Sequence, residues 1–429
     1  MLTGSLSIIV AVLAAAAWLL LSLVTTASTF LYHHRVRNPL APAPGRPRVA
    51  LLVAIKGVGA GTEAFLEALA RQQDVDHRLV FAVESAADPV CAVLDRFIAR
   101  SPVPAMRVEA GLAQGRGQKV HNLLAALETL TPRDEIIAFT DADTLPPPDW
   151  LAQLVRPLAL RRADVSNGYI WTIPTDGQIG SRLAALLSVA VATTPRFHSW
   201  NLCSGAAMAL RHEALERMDL RAAWSNTLSD DLALSVAARR AGLRVHPTHR
   251  VLAPSPVSHG LGSLTAYARR QYLILRLYAP GYWLTALAAL LPPVLLALLT
   301  LPLRHVAWPL LLLVPATAML LQQLRQTLRI RIAEQLLPPE QAARSRATMR
   351  RDRWLLPLLP AVNLALLLST AFGRRISWSG IQYRVHGAER MEVLWRAAAG
   401  SAPAPSGVVQ HGKARAFPQR RPQRLAPVA

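Results

Sequence analysis

Two carboxylates separated by one residue, Asp141-Ala142-Asp143, stand directly after the apolar run Ile136-Ile137-Ala138-Phe139-Thr140. A buried strand that delivers acids on alternate positions into a loop can hold a divalent cation against a nucleotide diphosphate, because hard cations prefer carboxylate oxygens. A surface turn rich in Asp explains an isolated pair of this kind more economically, so the other charged residues decide. Asp88, in Glu84-Ser85-Ala86-Ala87-Asp88-Pro89, follows a strand-like run and precedes a helical one. There a carboxylate caps the helix or accepts hydrogen bonds from a base or ribose. Lys119 opens a helical pattern after Gly115-Arg116-Gly117-Gln118, where backbone N–H groups and a cation point the same way and favour phosphate. Asp230 and Asp231 follow Ser229 and open another helix. Ser229 and Asp230 suffice for an N-cap, and a second adjacent acid exceeds what capping requires. A carboxylate base is the natural role for one of them.

These residues must be positioned by something, and a rhythm in the chain supplies it. Strand-like runs at residues 49–55, 79–83, 106–109 and 136–140 alternate with helical patterns at 63–72, 90–99, 120–130 and 150–160. Such alternation predicts an α/β fold, an open sheet with helices on both faces, and ligands in such sheets gather at the carboxyl ends of the strands. Asp88, Lys119 and Asp141 all follow such strands. No internal repeat is evident.

The chain of 429 residues is 52% hydrophobic and 17% charged, too apolar for an ordinary soluble protein and more charged than a bundle of membrane spans. A water-soluble domain joined to a few membrane segments fits both figures. The net charge of +21 comes almost wholly from Arg, since Lys occurs only at Lys56, Lys119 and Lys413; the Ala, Pro and Arg load points to a GC-rich, bacterial genome. Cys91 and Cys203 are the only cysteines, which excludes a disulfide framework and suits a reducing cytosolic face.

Residues 6–31 are nearly all apolar and exceed the roughly 20 helical residues that cross a hydrocarbon core. No basic residue precedes them, and His33, His34, Arg35 and Arg37 follow. Those flanks describe an anchor and not a cleaved signal peptide, with the N-terminus outside and the next domain cytosolic. The expected division is therefore an anchor at 1–37, a catalytic domain at 38–260 opened by a stiff Pro-rich linker, and an interfacial helix region at 261–282. A C-terminal transmembrane region at 283–373 and a basic tail at 374–429, disordered from about 401, complete it. Within the membrane region, 283–303 and 306–321 read as a hairpin of spans, and 354–372, interrupted by Pro357 and Pro360, as a kinked span or a re-entrant element. The multi-pass chain is expected in a bacterial inner membrane. Residues 413–424 carry one aromatic, Phe417, so adhesion to phospholipid is expected there and no nucleic-acid partner.

Taken in order, the motifs resemble those of the ceramide glucosyltransferase branch of the inverting, membrane-anchored GT-A glycosyltransferases, with sphingolipid and hopanoid glycosyltransferases among its relatives. Ile55-Lys56-Gly57-Val58 resembles the family's first-strand KG turn, Asp88-Pro89 its first aspartate motif, and Gln118-Lys119-Val120-His121-Asn122-Leu123 its NPKxNNL-like element. Asp141-Ala142-Asp143 corresponds to the second aspartate motif, and Ser229-Asp230-Asp231 to the ED motif. Thr194-Pro195-Arg196-Phe197 and Cys203-Ser204-Gly205 resemble HPRY and VTG segments, and Ile376-Ser377-Trp378 with Tyr383-Arg384 the C-terminal ISW and YR residues. The family's RxxRW motif appears altered, as Ala268-Arg269-Arg270-Gln271-Tyr272.

The resemblance implies a GT-A domain with one N-terminal and two to three C-terminal transmembrane helices. It implies transfer of a sugar from a UDP-sugar to the hydroxyl of a membrane lipid, ceramide or another such as a hopanoid. Mg²⁺ or Mn²⁺ would be held by Asp143 with Asp141, the nucleotide sugar by Lys56, Asp88, Lys119, Asp141, Arg269, Arg270, Gln271 and Tyr272, and Asp231 would be the base. Residues 179–191 and 264–277 are expected to lie along the membrane surface. A processive polysaccharide synthase and a non-enzymatic membrane-anchored scaffold stand as the alternatives.

Overall fold

The computed structural model describes residues 2–37, 45–197, 200–305 and 308–397. The expected linker at 39–45, save Gly45, and the chain from 398 onward lie outside them.

Helix α1 (Leu2–Arg37) leads into a seven-stranded sheet. Its first half runs β1 (Arg48–Ala54), α2 (Thr62–Ala70), β2 (Asp76–Val83), α3 (Val90–Arg100), β3 (Ala105–Glu109), α4 (Gln118–Leu127), β4 (Ile136–Phe139) and α5 (Trp150–Ala159). The second half runs β5 (Val165–Pro174), α6 (Ile179–Ala192), β6 (Met208–Arg211), α7 (His212–Arg217), α8 (Leu220–Ala223), α9 (Asp230–Arg240) and β7 (Val245–Val257). Strand order is β3-β2-β1-β4-β6-β5-β7. The first four strands are parallel; β6 runs antiparallel to both β4 and β5, and β7 is parallel to β5. Where both faces are covered, in β1, β4 and the second half of β2, the parallel strands read as apolar runs, while the edge strand β3 has no buried residue; the pleat sends alternate residues to opposite sides. Ala50, Leu52, Ile137 and Phe139 join the core under α4 and α9, whereas Val49, Leu51, Val53, Ile136 and Ala138 join the one under α2, α3 and α5.

After the sheet come α10 (Leu261–Tyr278), α11 (Pro280–Leu303), α12 (Trp308–Leu336) and α13 (Pro339–Arg351). The N-terminal helix packs on α11 and α12 through Ala11, Ala15, Leu296 and Val314. Among the described residues two segments, Ser5–Arg37 and Pro280–Thr300, are long and apolar enough to cross a membrane. Two expected segments do not qualify: 306–321, which falls at the start of the longer and partly charged α12, and 354–372, where a 3-10 helix, Asp352–Leu358, leads into α14 (Leu359–Leu368), whose 10 residues rise about 15 Å against a hydrocarbon core of ~30 Å. Helix α6 buries Ala184, Ala185, Leu186 and Val189 and leaves Ile179 and Val191 exposed, so it is as much a core helix as a surface one.

A further correction concerns the tail. Residues 375–396, expected as part of a basic tail, form an antiparallel sheet of β8 (Arg375–Trp378), β9 (Ile381–Gly387) and β10 (Arg390–Arg396). Ile381, Tyr383 and Val385 are buried while Gln382 and Arg384 are not. With Ile376 and Met391 they close the core on the α4 and α9 side. This sheet is part of the same unit as the strands of the N-terminal half.

Candidate active site

The DxD turn is fixed from behind. Thr140, buried at the end of β4, hydrogen-bonds the Ala206 carbonyl at 3.0 Å, and Thr144 Oγ1 donates to the Asp141 carbonyl at 2.9 Å. Asp141 is thereby half-buried and Asp143 exposed. Opposite, Lys119 stands in the first turn of α4 and Asp230 and Asp231 in the first turn of α9, which Ser229 caps by accepting from Leu232 N.

Lys119 Nζ lies 2.6 Å from Asp141 Oδ1 and 2.9 Å from Asp230 Oδ2. Burial works against its charge, but Asp141, Asp230 and Asp231 together outweigh it and hold the ammonium above its usual range. Asp230 is buried, and burial pushes its carboxyl up to about 6, against the pull of Lys119 and with Asp231 and Asp141 adding to the rise. Asp143 is more open than Asp141, yet desolvation by the surrounding protein and, after it, the charge of Asp141 push its carboxyl up to about 6.

Asp231 faces differently from its neighbour. Its Oδ1 accepts from Ser229 Oγ at 2.6 Å and Leu232 N at 2.8 Å, and its Oδ2 accepts from Gly205 N at 3.2 Å. Gly205 roofs the whole cluster. A Cβ built there would stand 2.7 Å from Lys119 Nζ, 3.2 Å from Asp230 Oδ2 and 3.3 Å from Asp141 Oδ1.

Along the same rim, Lys56 pairs with Glu84 at 2.8 Å, and Arg396 of β10 reaches Glu84 at 2.7 Å and Gln118 Oε1 at 2.8 Å. Asp88 accepts from Gly57 N at 2.9 Å and Val90 N at 2.9 Å, so it braces the turn after β1 as well as capping α3. Lys56, Asp88, Lys119, Asp141 and Asp231 therefore share the carboxyl rim of the sheet. Of the four residues expected from α10, Arg270 turns toward the acids. Burial lowers its pKa from the usual guanidinium value, and Asp143 and Asp141 counteract that. Its guanidinium lies 5.3 Å from the Tyr267 ring centroid and 5.2 Å from that of Trp378. Arg269 and Gln271 are exposed, and the Tyr272 hydroxyl donates to Asn363 of α14 at 2.8 Å.

On the other flank, Arg196 lies 4.3 Å over the Tyr169 ring. Burial pushes the Tyr169 phenol up, with Arg196 opposing and the nearby Asp231 charge adding to the rise. Trp200 stacks on Tyr282, at the start of α11, at 4.1 Å. Glu84, Gly205, Arg396, Tyr267 and Trp378 were not singled out by residue-level reasoning as site residues. All but Arg396 stand in segments with a sequence signal, Glu84 beside Asp88, Gly205 and Trp378 in the resembling motifs, and Tyr267 in the helix at 264–277. Among the described residues no three His, Cys, Asp or Glu side chains converge to cage a metal; the oxygen donors offered to the cleft are those of Asp141 and Asp143. A second concavity, between Pro47, Asp134, Arg161 and Arg211 at the opposite rim, has its acid Asp134 already paired with Arg78 at 2.8 Å.

A family model, glycosyl transferase family 21, matches residues 12–391. The chain belongs to glycosyl transferase family 21. It is a glycosyltransferase, and the scaffold alternative falls. The match spans most of the N-terminal helix, the large sheet and β8, β9 and the start of β10, so the small sheet belongs to the family 21 unit. Comparison with curated proteins finds no match. Solved structures of limited similarity include S. aureus TarS 1-349, 10% identical over 80% of this chain and 98% of that one, with a TM-score of 0.34. Glucosyl-3-phosphoglycerate synthase from Mycobacterium tuberculosis, solved with Mn²⁺, UDP and glucosyl-3-phosphoglycerate, is 18% identical over 54% and 79% with a TM-score of 0.33. The 4-diphosphocytidyl-2C-methyl-D-erythritol synthase from Anaerococcus prevotii is 12% identical over 48% and 87% with a TM-score of 0.32.

Proposed function

We propose that this family 21 enzyme has a GT-A catalytic domain and transfers a sugar from a UDP-sugar to the hydroxyl of a membrane lipid, inverting the anomeric carbon to give a β-linked glycolipid. The observation that carries the reading is the Asp231 carboxylate, oriented by Gly205 N and Ser229 beside the Lys119, Asp141 and Asp230 cluster. One carboxylate is thus held ready for a proton while a cation and an open acid stand next to it.

Asp141 and Asp143 suit Mg²⁺ or Mn²⁺: two carboxylates on one turn are the donor set such ions take when phosphate and water supply the rest. When bound, the ion supplies positive charge against the departing diphosphate. Lys119 and Arg270 add their own charge there, and Lys56 and Asp88 position the nucleotide end. Asp231 accepts the proton of the acceptor hydroxyl. That oxygen forms its bond to the anomeric carbon from the opposite face, and the bond to the UDP oxygen breaks, the electron pair leaving with UDP.

The topology that suits this chemistry is multi-pass. The N-terminal helix enters with its end at Arg37 on the catalytic side, and α11 and α12 leave and return as a hairpin. Since β8–β10 pack on the catalytic core and α14 is short, both ends of the hairpin lie on the cytosolic side. The acceptor then approaches past Tyr169, Arg196 and the Trp200–Tyr282 stack, beside the start of α11. Incubating the purified protein with a panel of UDP-sugars, Mg²⁺ or Mn²⁺ and total membrane lipid, followed by mass spectrometry, tests the proposal. A new glycolipid is the expected product; donor hydrolysis with no lipid product would refute the acceptor assignment.

A further inference from the structure

Buried charge in a folded chain is normally matched by opposite charge, as Arg78 is by Asp134 and Arg182 by Asp352 here. The junction of α1, α6 and α12 departs from this. Arg325 and Arg329, one turn apart on α12, are 8% and 5% exposed, and neither forms a salt bridge among the described residues. Their partners are all neutral. Arg325 Nη1 donates to the Ser22 carbonyl at 2.8 Å and to the Thr25 and Thr26 hydroxyls at 3.0 Å, and its Nε, at 2.9 Å, and Nη2 both donate to Gln322 Oε1. Arg329 donates through Nε to Thr193 Oγ1 at 2.9 Å, just past the C-terminal end of α6. Among the described residues its two terminal nitrogens have no acceptor.

Hydroxyls and carbonyls recover hydrogen bonds but not charge, and two guanidiniums about 6 Å apart along a helix repel one another where water is scarce. An anion is what this geometry lacks. Arginine forks match phosphate oxygens in pairs, and the place is suited to one source of phosphate in particular. Arg325 and Arg329 lie about 26 and 32 Å along the helix from Trp308, close to the ~30 Å of a hydrocarbon core. On the membrane topology proposed above, on which this step rests, they stand at headgroup level on the cytosolic side.

We propose that Arg325 and Arg329 form a binding site for a phosphate-bearing group at the junction of α1, α6 and α12, separate from the Lys119 cluster. The lipid headgroup and free phosphate are the two sources, and reconstitution distinguishes them. The full-length protein is placed in nanodiscs of a phosphate-free neutral lipid alone, of that lipid with phosphatidylglycerol, and of that lipid with inorganic phosphate at matched ionic strength. Phosphate ligation is expected to raise the melting temperature by about 2–4 °C, and Arg325→Gln with Arg329→Gln to abolish that rise while stabilising the protein in the phosphate-free lipid alone. A rise with phosphatidylglycerol only assigns the site to a headgroup, and a rise with inorganic phosphate assigns it to the free ion. No rise in either arm, or an equal rise in the double variant, overturns the site. If the double variant does not fold, Arg329→Lys, which keeps the charge and loses the fork, is expected to lose at least half of the rise; an undiminished rise overturns the proposal. Co-elution with lipid tests the membrane reading separately, because protein that fails to enter discs still reports the inorganic-phosphate arm.

Discussion

Arg396 in the last described strand reaches Glu84 Oε1 at 2.7 Å, and the other carboxylate oxygen of Glu84 holds Lys56 at 2.8 Å. The C-terminal sheet thus closes on the donor rim through a nearly buried acid bridged by two cations. Arg396→Ala leaves Glu84 with Lys56 alone and frees Gln118 Oε1 from Arg396. Loss of a charge-assisted bond of this kind costs about 1–3 kcal/mol. Urea unfolding should show that loss, and calorimetry should show weaker UDP binding. Unchanged UDP affinity would restrict Arg396 to a structural role.

How much of this was legible in the chain differs by region. Strands β1, β2 and β4 announced themselves because strands buried on both faces cannot hide their apolar runs, and from the ends of the strands followed the pairing of Lys119 with Asp141. The sheet of β8–β10 was masked by arginine. Ile381, Tyr383 and Val385 alternate with Gln382, Arg384 and His386 at the period of a strand, yet the charge of the stretch made it read as a tail. Helix α10 shows another limit. Neighbouring residues on a helix point about 100° apart, so sequence gives the cluster Arg269-Arg270-Gln271 but not which member faces the acids. Packing decides, and it selects Arg270, three residues from Tyr267 and on the same side.

The Asp134 carboxylate gives a pH-dependent test away from the cleft. It accepts from Arg78 Nε and Nη2 at 2.8 and 2.9 Å and from Thr131 N at 2.7 Å. Burial opposes its charge, but the Arg78 and Thr131 bonds prevail and hold the pKa below the ordinary 3.8. A carboxyl depressed in the folded state contributes stability that is complete above 3.8 and is lost as pH falls through the lower folded value. Asp134→Asn should therefore cost about 1–3 kcal/mol at neutral pH, and the gap from the parent protein should close as acid is added. A gap independent of pH would refute the assignment.

Arg270 between Tyr267 and Trp378 combines charge with a flat stacking surface. Arg270→Lys keeps the charge and loses the planar fit, a cation–π contribution of about 0.5–2 kcal/mol. Donor KM should rise roughly 2- to 30-fold, with kcat less affected. A matching rise in Trp378→Leu would show that the C-terminal strand takes part, and a silent Trp378→Leu would exclude it.

Gly205 has no room for a side chain, since a Cβ would meet Lys119 Nζ at 2.7 Å and two carboxylate oxygens within 3.3 Å. Gly205→Ala should therefore displace the ammonium from Asp141 and Asp230. We expect turnover to fall about 10-fold or more, on the order of 1.4 kcal/mol, and the melting temperature to fall with it because a buried ion pair is parted. Full activity in Gly205→Ala would mean that the ion-paired arrangement is not the working one.

The two adjacent acids of α9 separate catalysis from architecture. Asp230 is buried against Lys119, so Asp230→Asn leaves that ammonium with Asp141 alone and should lower both stability and donor affinity. Asp231 is tied only by Gly205 N, Ser229 Oγ and Leu232 N, bonds that the oxygen of Asn can partly replace, while the amide cannot take a proton. Asp231→Asn should accordingly fold and bind UDP like the parent protein, yet lose about 10²- to 10⁴-fold in kcat. Titration calorimetry with UDP and single-turnover assays read the two effects independently. If Asp230→Asn were the inactive but well-bound variant and Asp231→Asn the unstable one, the roles of the pair would have to be exchanged.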